Sequence, residues 1–354
     1  MDNKTSSLDF AIIGHQDSWL NITNFINDIR AKEQDMLSTE KIKDIYSFIP
    51  PRSIFKGNIK SKIGSEVNGV YIETFIDPDK LDPRFSKTNI GKVKSAINYS
   101  KKIAARIVTL GGFTSIFLEG KLESESEGLT KFTTGNTLTA AYVVKAVEKA
   151  SLQLGINLQH SNVLIVGATG DIGIACARYL QNKTQKLLLC ARNYYRLHKF
   201  SNELTEEGVL VNYSTNLSDL ISDADVIISV ASSSGIELNT CKNGVLICDA
   251  GYPKNLDATL EKNNKVHLFH GGMGFVINGF SFTPDYSNTI YRYAAPNVMH
   301  GCLLEAVVLA FENRYESYSS EKGLISTDKM EEIYSLSVKH GIELAPFYNS
   351  SGLW

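Results

Sequence analysis

Proline and tryptophan are scarce, at 8 and 2 of 354 residues, and neither sign of charge dominates. With 43% hydrophobic and 21% charged residues, the scarcity of proline excludes a disordered or collagen-like chain. A formal net charge of -2 excludes the basic surplus on which nucleic-acid binding depends, so no nucleic-acid partner is predicted. Apolar runs are short. None reaches the ~18 residues of a membrane span, which predicts no transmembrane segment. The stretch MDNKTSSLDF also lacks a basic run followed by an apolar one, and the expected location is the cytoplasm.

Paired cysteines are missing too. Cys176, Cys190, Cys241, Cys248 and Cys302 are odd in number and irregularly spaced, with no C-x-x-C, which argues against a disulfide framework or a redox dithiol. The seven histidines are scattered and form no H-E-x-x-H, so no metal is expected.

What is present is alternation. FAIIGH reads as a strand and WLNITNFINDIR as a helix; after Pro50-Pro51, SIFKG and NGVYIETFI read as strands. An amphipathic pattern from about Lys87 to Val108 puts Val93, Ala96, Ile97, Ala104 and Ile107 on one face. Lys87, Lys94 and Lys101 recur on another, either as a solvated face or as a docking patch for an acidic partner. A second helix from about Thr133 stops at Gly155, and VLIVG, KLLLCA, DVIISVA, GVLICDAG and KVHLFHGG then alternate with helix-like or loop segments. This predicts an α/β fold with a Rossmann-like parallel sheet, an N-terminal α/β substrate domain and C-terminal helices. The expected domains are 1–130, 131–295 and 296–354, the last opening with a helix near Pro296.

The most specific local motif is NVLIVGATGDIG. Gly167, Gly170 and Gly173 stand where a buried strand passes into a helix, the place where a dinucleotide pyrophosphate meets backbone N–H groups. The candidate cofactor residues there are Gly167, Ala168, Thr169, Gly170, Asp171, Ile172 and Gly173. The next strand ends in Arg192 and Asn193, where an NAD-binding site would carry an acidic residue. An arginine pairs with a 2′-phosphate that a carboxylate would repel, so the predicted cofactor is NADPH. DAGYPKN adds Gly251, Tyr252 and Pro253 as a loop over the nicotinamide or a structural turn, and GGMG at Gly271–Gly274 is a further close-approach candidate.

For the reaction, four cysteines read as packing. Cys302 follows AAPNVMHG in the first turns of a helix, where a thiol's pKa can be lowered, but position alone does not separate it from another core cysteine, the reading that position favours. FAIIGHQDS, LGGFTSI, KFTTGNTLTAAY, VGATGDIG, CARN, DAGYPKN and DKMEEIYSLSVKHG, in this order, resemble the long-chain acyl-[acyl-carrier-protein] reductases best known from cyanobacteria. NVMHGCLLE and the segment from about Gln16 to Ile63 depart from that family's pattern. The resemblance implies NADPH-dependent reduction of a fatty acyl thioester to an aldehyde through an acyl-enzyme on a cysteine, which it carries onto Cys302. It also implies acyl carrier protein or acyl-coenzyme A as the acyl donor, and an aldehyde-consuming enzyme as a possible partner. By their segments alone, His15, His300, Thr137 and Lys254 are candidate oxyanion donors, each readable instead as a packed or surface polar residue. The alternatives are an NADPH oxidoreductase like glutamyl-tRNA reductase or shikimate dehydrogenase, or a non-catalytic NADPH-sensing partner.

Overall fold

The computed structural model describes residues 8–30, 35–81, 85–117, 125–126, 128–231, 240–252, 254, 256, 266–285, 293, 295–319 and 325–354. The chain divides into two compact units. One comprises Met1–Gly135, Val276–Glu321 and Leu336–Glu343; the other comprises Asn136–Phe275, Lys322–Ser335 and Leu344–Trp354. Three consecutive domains were expected, and the correction has a physical cause. Gly301–Phe311, placed by the sequence in a separate C-terminal segment, is apolar almost all round and must be buried; it packs on the first unit's sheet.

That sheet is built around β1 (Phe10–Gly14), five residues all buried. β3 (Glu66–Glu73) and β4 (Ile107–Leu110) pair with it in parallel on either side, and β5 (Lys131–Thr133) pairs in parallel with β4. A strand with parallel neighbours on both sides is covered above and below, which is why β1 is a continuous apolar run. β2 (Arg52–Lys60) is antiparallel to β3, and β12 (Phe280–Thr283) closes the edge outside it. In β2 the pattern alternates instead, with Phe55 and Ile59 buried and Lys56 and Lys60 exposed.

Helices α1 (Trp19–Ile29) and α2 (Thr39–Tyr46) are capped by the Ser18 and Ser38 hydroxyls. α3 (Ser86–Lys102) lays Val93, Ala96 and Ile97 on the sheet. The expected helix ran on to Val108; it ends earlier because Ala104 takes φ 55° and Ile107 and Val108 enter β4 beside β1. A β-branched run with an open parallel neighbour is more stable as strand than as helix. α4 (Phe113–Phe117) follows the Gly111-Gly112 turn.

The second unit holds β6 (Asn162–Val166), β7 (Lys186–Cys190), β8 (Val211–Ser214), β9 (Val226–Ser229), β10 (Leu246–Asp249) and β11 (His267–His270). All six are parallel, in the order β11-β10-β9-β6-β7-β8. Numbered along the chain this is 6-5-4-1-2-3, the doubly wound dinucleotide-binding order, so the Rossmann-like α/β expectation holds. α5 (Asn136–Gln153), α6 (Asp171–Leu180) and α7 (Tyr194–Glu206) belong to this unit, and Gly155 at φ 70° follows the end of α5. The unit boundary falls inside α9 (Thr327–Lys339). β8, VNYS, was not expected: an edge strand this short and half-exposed carries no apolar alternation. Among the described residues no helix is long and apolar enough to cross a membrane.

Candidate active site

In the second unit the strand order reverses between β6 and β9, and ligands of such sheets bind outside the carboxyl ends at that point. Gly167 follows β6 at φ 90°, a backbone state that favours glycine. A Cβ on it would lie 3.0 Å from the Ala231 nitrogen, just beyond β9. Gly167 and Ala168 donate their N–H groups to the Cys190 carbonyl (2.9 and 3.1 Å), which fixes the turn against β7. Thr169 is half-buried. Gly170 is the N-cap of α6 and is exposed, while Asp171 and Ile172 in the first turn are half-buried. A Cβ on Gly173 would collide with the Gly167 carbonyl. The result is a cradle in which side chains are excluded and a helix N-terminus is presented, and it fits a dinucleotide.

Arg192 and Asn193 follow β7 and are exposed. Asn193 accepts the Arg196 N–H (3.0 Å) and so caps α7. Buried Asp249 accepts the N–H groups of Gly251 and Leu256, both at 3.2 Å, and this shapes the loop after β10. A Cβ on Gly251 would press on the Ala231 carbonyl at 2.7 Å. Tyr252 is half-buried; Pro253 lies outside the described residues. Lys254 donates to the carbonyls of Asp249 (3.0 Å) and Gly271 (2.9 Å), so its ammonium ties the ends of β10 and β11 together. These contacts give Lys254 a positioning role. Gly271 is small because Cys248 Sγ lies against it, and Gly272 takes φ 70°.

The reactive-thiol candidate is in the first unit. α8 (Gly301–Phe311) begins with His300 as N-cap, and Cys302 is its second residue. The start near Pro296 is corrected: Asn297 takes φ 58° and Val298–His300 is extended, so the helix opens five residues later. Thr109 at the end of β4 donates its hydroxyl to the Cys302 carbonyl (2.5 Å), and Gly135 after β5 leaves room for the Cys302 backbone. Gly111 makes room for Leu303. The first turn of α8 therefore stands at the carboxyl ends of β4 and β5, and Cys302 is half-buried there. Burial pushes the other four thiols up, Cys190 and Cys241 to about 11, and Cys176 and Cys248 further still.

Sequence reasoning missed Glu305. Fully buried one turn after Cys302, it accepts hydrogen bonds from the hydroxyls of Thr133 and Ser319 (2.7 Å for the latter). Ser319 in turn donates its N–H to Thr133 Oγ1 (3.2 Å). This knot pins α8 to β5. A single carboxylate in the otherwise apolar GCLLEAVVLAF was the available signal.

His15 follows β1 and is buried. The Phe113 N–H donates to its Nε2 (3.0 Å), which leaves the ring proton on Nδ1 facing the Gln16 carbonyl (3.2 Å). Burial lowers its pKa and holds the ring neutral. Nε2 thus holds the LGGFTSI turn in place, while Nδ1 is turned to the neighbouring Gln16 carbonyl. His300 packs edge-on against Tyr293, with ring centroids 5.7 Å apart. The Thr137 hydroxyl, buried in the first turn of α5, finds no hydrogen-bond partner among the described residues. No cluster of metal-ligating side chains is found among the described residues.

A model of the shikimate/quinate 5-dehydrogenase family matches residues 148–270, the part of the chain that carries the glycine cradle. The glutamyl-tRNA reductase of Pasteurella multocida is 24% identical over 38% of this chain and 33% of its own length. Aminotransferase PigE of Serratia sp. is 27% identical over 81% of this chain but 34% of its own. The two alternatives weighed from the sequence thus match parts of the chain. By contrast, the long-chain acyl-[acyl-carrier-protein] reductase of Synechococcus elongatus is 33% identical over 85% of this chain and 89% of its own length. A match that runs through both units, the Cys302 unit as well as the cradle, makes this chain an oxidoreductase of the long-chain acyl-[acyl-carrier-protein] reductase family.

Proposed function

We propose that the protein reduces a long-chain fatty acyl thioester, carried on acyl carrier protein, to the fatty aldehyde with NADPH, through an acyl-enzyme on Cys302. The observation that carries this reading is the setting of the thiol. Cys302 stands at a helix N-terminus at the carboxyl ends of the parallel strands β4 and β5, while burial disfavours the thiolate of the other four cysteines.

The backbone from Gly167 to Gly173 would hold the pyrophosphate, Arg192 and Asn193 the 2′-phosphate end, and Gly251, Tyr252 and Pro253 the nicotinamide end. When bound, NADPH supplies the hydride. The Cys302 thiolate attacks the acyl carbonyl, a new S–C bond forms, and the carrier thiol leaves with a proton. After reduction at that carbon the S–C bond breaks, the aldehyde departs and the thiolate is regenerated. The first-turn N–H groups of α8 lack intrahelical acceptors and are the donors closest in sequence for the oxyanion. Thr109 and Gly135 fix the Cys302 backbone from which that turn starts.

The test is direct. Without NADPH, protein mixed with acyl-[acyl-carrier-protein] accumulates an adduct with the mass of the acyl group on the Cys302 peptide, and added NADPH discharges it as aldehyde. Cys302→Ala gives neither product and keeps NADPH binding, with turnover down by more than ~10³-fold. An adduct on another cysteine, or aldehyde formation surviving in Cys302→Ala, overturns the reading.

A further inference from the structure

α3 carries five lysines and no carboxylate in seventeen residues. Two of the five are occupied. Lys92 donates to the Ile49 carbonyl (2.8 Å), and Lys101 pairs with Glu125 (2.9 Å). That corrects the stripe expected from the sequence, which included Lys101. Lys87, Lys94 and Lys102 are exposed and form no ion pair among the described residues. At 3.6 residues per turn these three fall within a sector of about 80° and span about 22 Å of helix. Between them on the same face lie Gly91, Ser95 and Asn98, all exposed.

Gly91 is the independent observation. Its φ is not in the left-handed region, and a Cβ there would meet nothing within 4 Å. Neither backbone conformation nor packing requires glycine at that point, and in mid-helix it is destabilising relative to alanine. Its effect is to leave the middle of the lysine face flat. A row of small residues between cations lets a second helix approach closely while its carboxylates reach the lysines on either side.

We propose that this face of α3 docks the acyl carrier protein through an acidic helix of that partner. The proposal rests on the function proposed above and names the surface its acyl donor uses. The placement suits the chemistry. α3 joins the parallel strands β3 and β4, so it runs back against them and its Lys87 end lies at their carboxyl edge. Cys302 is held at that same edge, by Thr109 of β4. α3 covers the face that carries Val108 and Leu110, whereas the Cys302 helix meets the opposite face at Thr109 and Gly111, so the prosthetic arm of a carrier seated on α3 reaches the thiol around the shared carboxyl end of the strands.

The triple variant Lys87→Glu/Lys94→Glu/Lys102→Glu tests this with long-chain acyl-[acyl-carrier-protein] and acyl-coenzyme A compared side by side. The expected result is a KM for the carrier-linked donor raised at least ~10-fold at low salt, with kcat unchanged and the KM for acyl-coenzyme A within ~2-fold. An unchanged carrier KM, or an equal loss on both donors, overturns the proposal. Gly91→Gln is the second variant: it raises Tm through helix propensity and raises the carrier KM. A raised Tm with an unchanged carrier KM overturns the flat-contact argument. Fluorescence anisotropy of labelled carrier protein without an acyl group reads docking apart from turnover. If wild-type protein binds this probe and the triple variant does not, docking stands even where no aldehyde forms; if both bind equally, docking fails whatever the activity.

Discussion

The two sheets are alike in one respect: each reverses its strand order beside its first strand, β1 in one unit and β6 in the other. They differ in what is built at that point. Beyond β6 the edge is backbone, a left-handed Gly167, an exposed Gly170 and a Gly173 whose missing side chain lets the turn close on itself. Beyond β1 and β4 the edge is side chains. Gly14 makes room for the Tyr71 ring and Gly111 for Leu303, while His15, Gln16, Glu73 and Cys302 line the strand ends or the helix above them. A phosphate is met well by N–H groups that any sequence supplies if glycine permits the approach. Covalent chemistry needs one side chain of one type, held by neighbours of many types.

The largest effect should come from breaking the backbone edge. Gly173→Ala puts a Cβ into the Gly167 carbonyl and 2.9 Å from Ala168 Cα, a clash with backbone that no rotamer relieves. The expected cost is above ~3 kcal/mol of stability in the second unit, with NADPH affinity lost along with it. Gly170→Ala is the control, since its Cβ would meet the Gly167 carbonyl at 3.4 Å and its φ of -82° suits any residue. Stability should then change by less than ~0.5 kcal/mol while cofactor affinity still falls. Urea unfolding and NADPH titration of the two variants separate the roles; equal destabilisation would mean that the two glycines do one job.

The side-chain edge sharpens the comparison through pH. Glu73, at the end of β3, accepts from Gln16 Nε2 (2.9 Å) and from the Phe75 N–H (3.1 Å), and burial raises its pKa from 4.5 to about 7. Between those values the folded protein holds a proton that the unfolded chain has lost, so stability falls as pH rises from about 4.5 to 7 and is level outside that window. The shift corresponds to about 3 kcal/mol across the window. Glu73→Gln removes the slope. Gln16 can accommodate the new amide by turning its own, because its Oε1 is buried without a partner among the described residues. Measured against wild type, the variant should gain stability steadily from pH 4.5 to 7; a constant difference would place the titration elsewhere.

Glu305 tests whether Cys302 depends on its neighbours. Glu305→Ala leaves the Thr133 and Ser319 hydroxyls without their acceptor in a buried site, at roughly 2–3 kcal/mol. Glu305→Gln keeps an acceptor and should restore most of that stability. If α8 is positioned through this knot, the acylation rate at Cys302 falls in the alanine variant and recovers in the glutamine one. A rate that ignores both substitutions limits Glu305 to stability.

What could be read from the sequence follows the same division. The cradle was legible because Gly167, Gly170 and Gly173 act through local backbone, and local backbone is written in consecutive residues. Buried parallel strands such as β6, β7, β9 and β10 were legible as apolar runs, whereas β8 was not, since VNYS at a sheet edge buries too little to leave a pattern. Thr109, Thr133, Gly135, Glu305 and Ser319 come from segments up to 210 residues apart, counting from Thr109 to Ser319, and no spacing rule joins them. Their meeting depends on α8 returning to the first sheet. The lysine face was half legible: periodicity placed Lys87 and Lys94 correctly, but Glu125, which pairs with Lys101, lies outside the helix.

Arg192 is the one place where the backbone-built edge asks for a side chain, and it carries the smallest predicted effect. It is exposed two residues past β7, next to Asn193, whose side chain is already engaged in capping α7. The turn carbonyl that anchors Gly167 and Ala168 belongs to Cys190, at the end of the same strand, so Arg192 stands beside the cradle without forming part of it. Removing it should therefore leave stability and NADH use nearly intact. A hydrogen bond to a charged group contributes roughly 1.5–3 kcal/mol, and in Arg192→Ala the preference for NADPH over NADH should drop about 10- to 100-fold in kcat/KM. Because the arginine is solvent-exposed, the drop should shrink as salt is raised. Equal losses with both cofactors would make Arg192 part of the fold, and an unchanged preference would move 2′-phosphate recognition to another residue, with exposed Arg196 in the first turn of α7 the next to test.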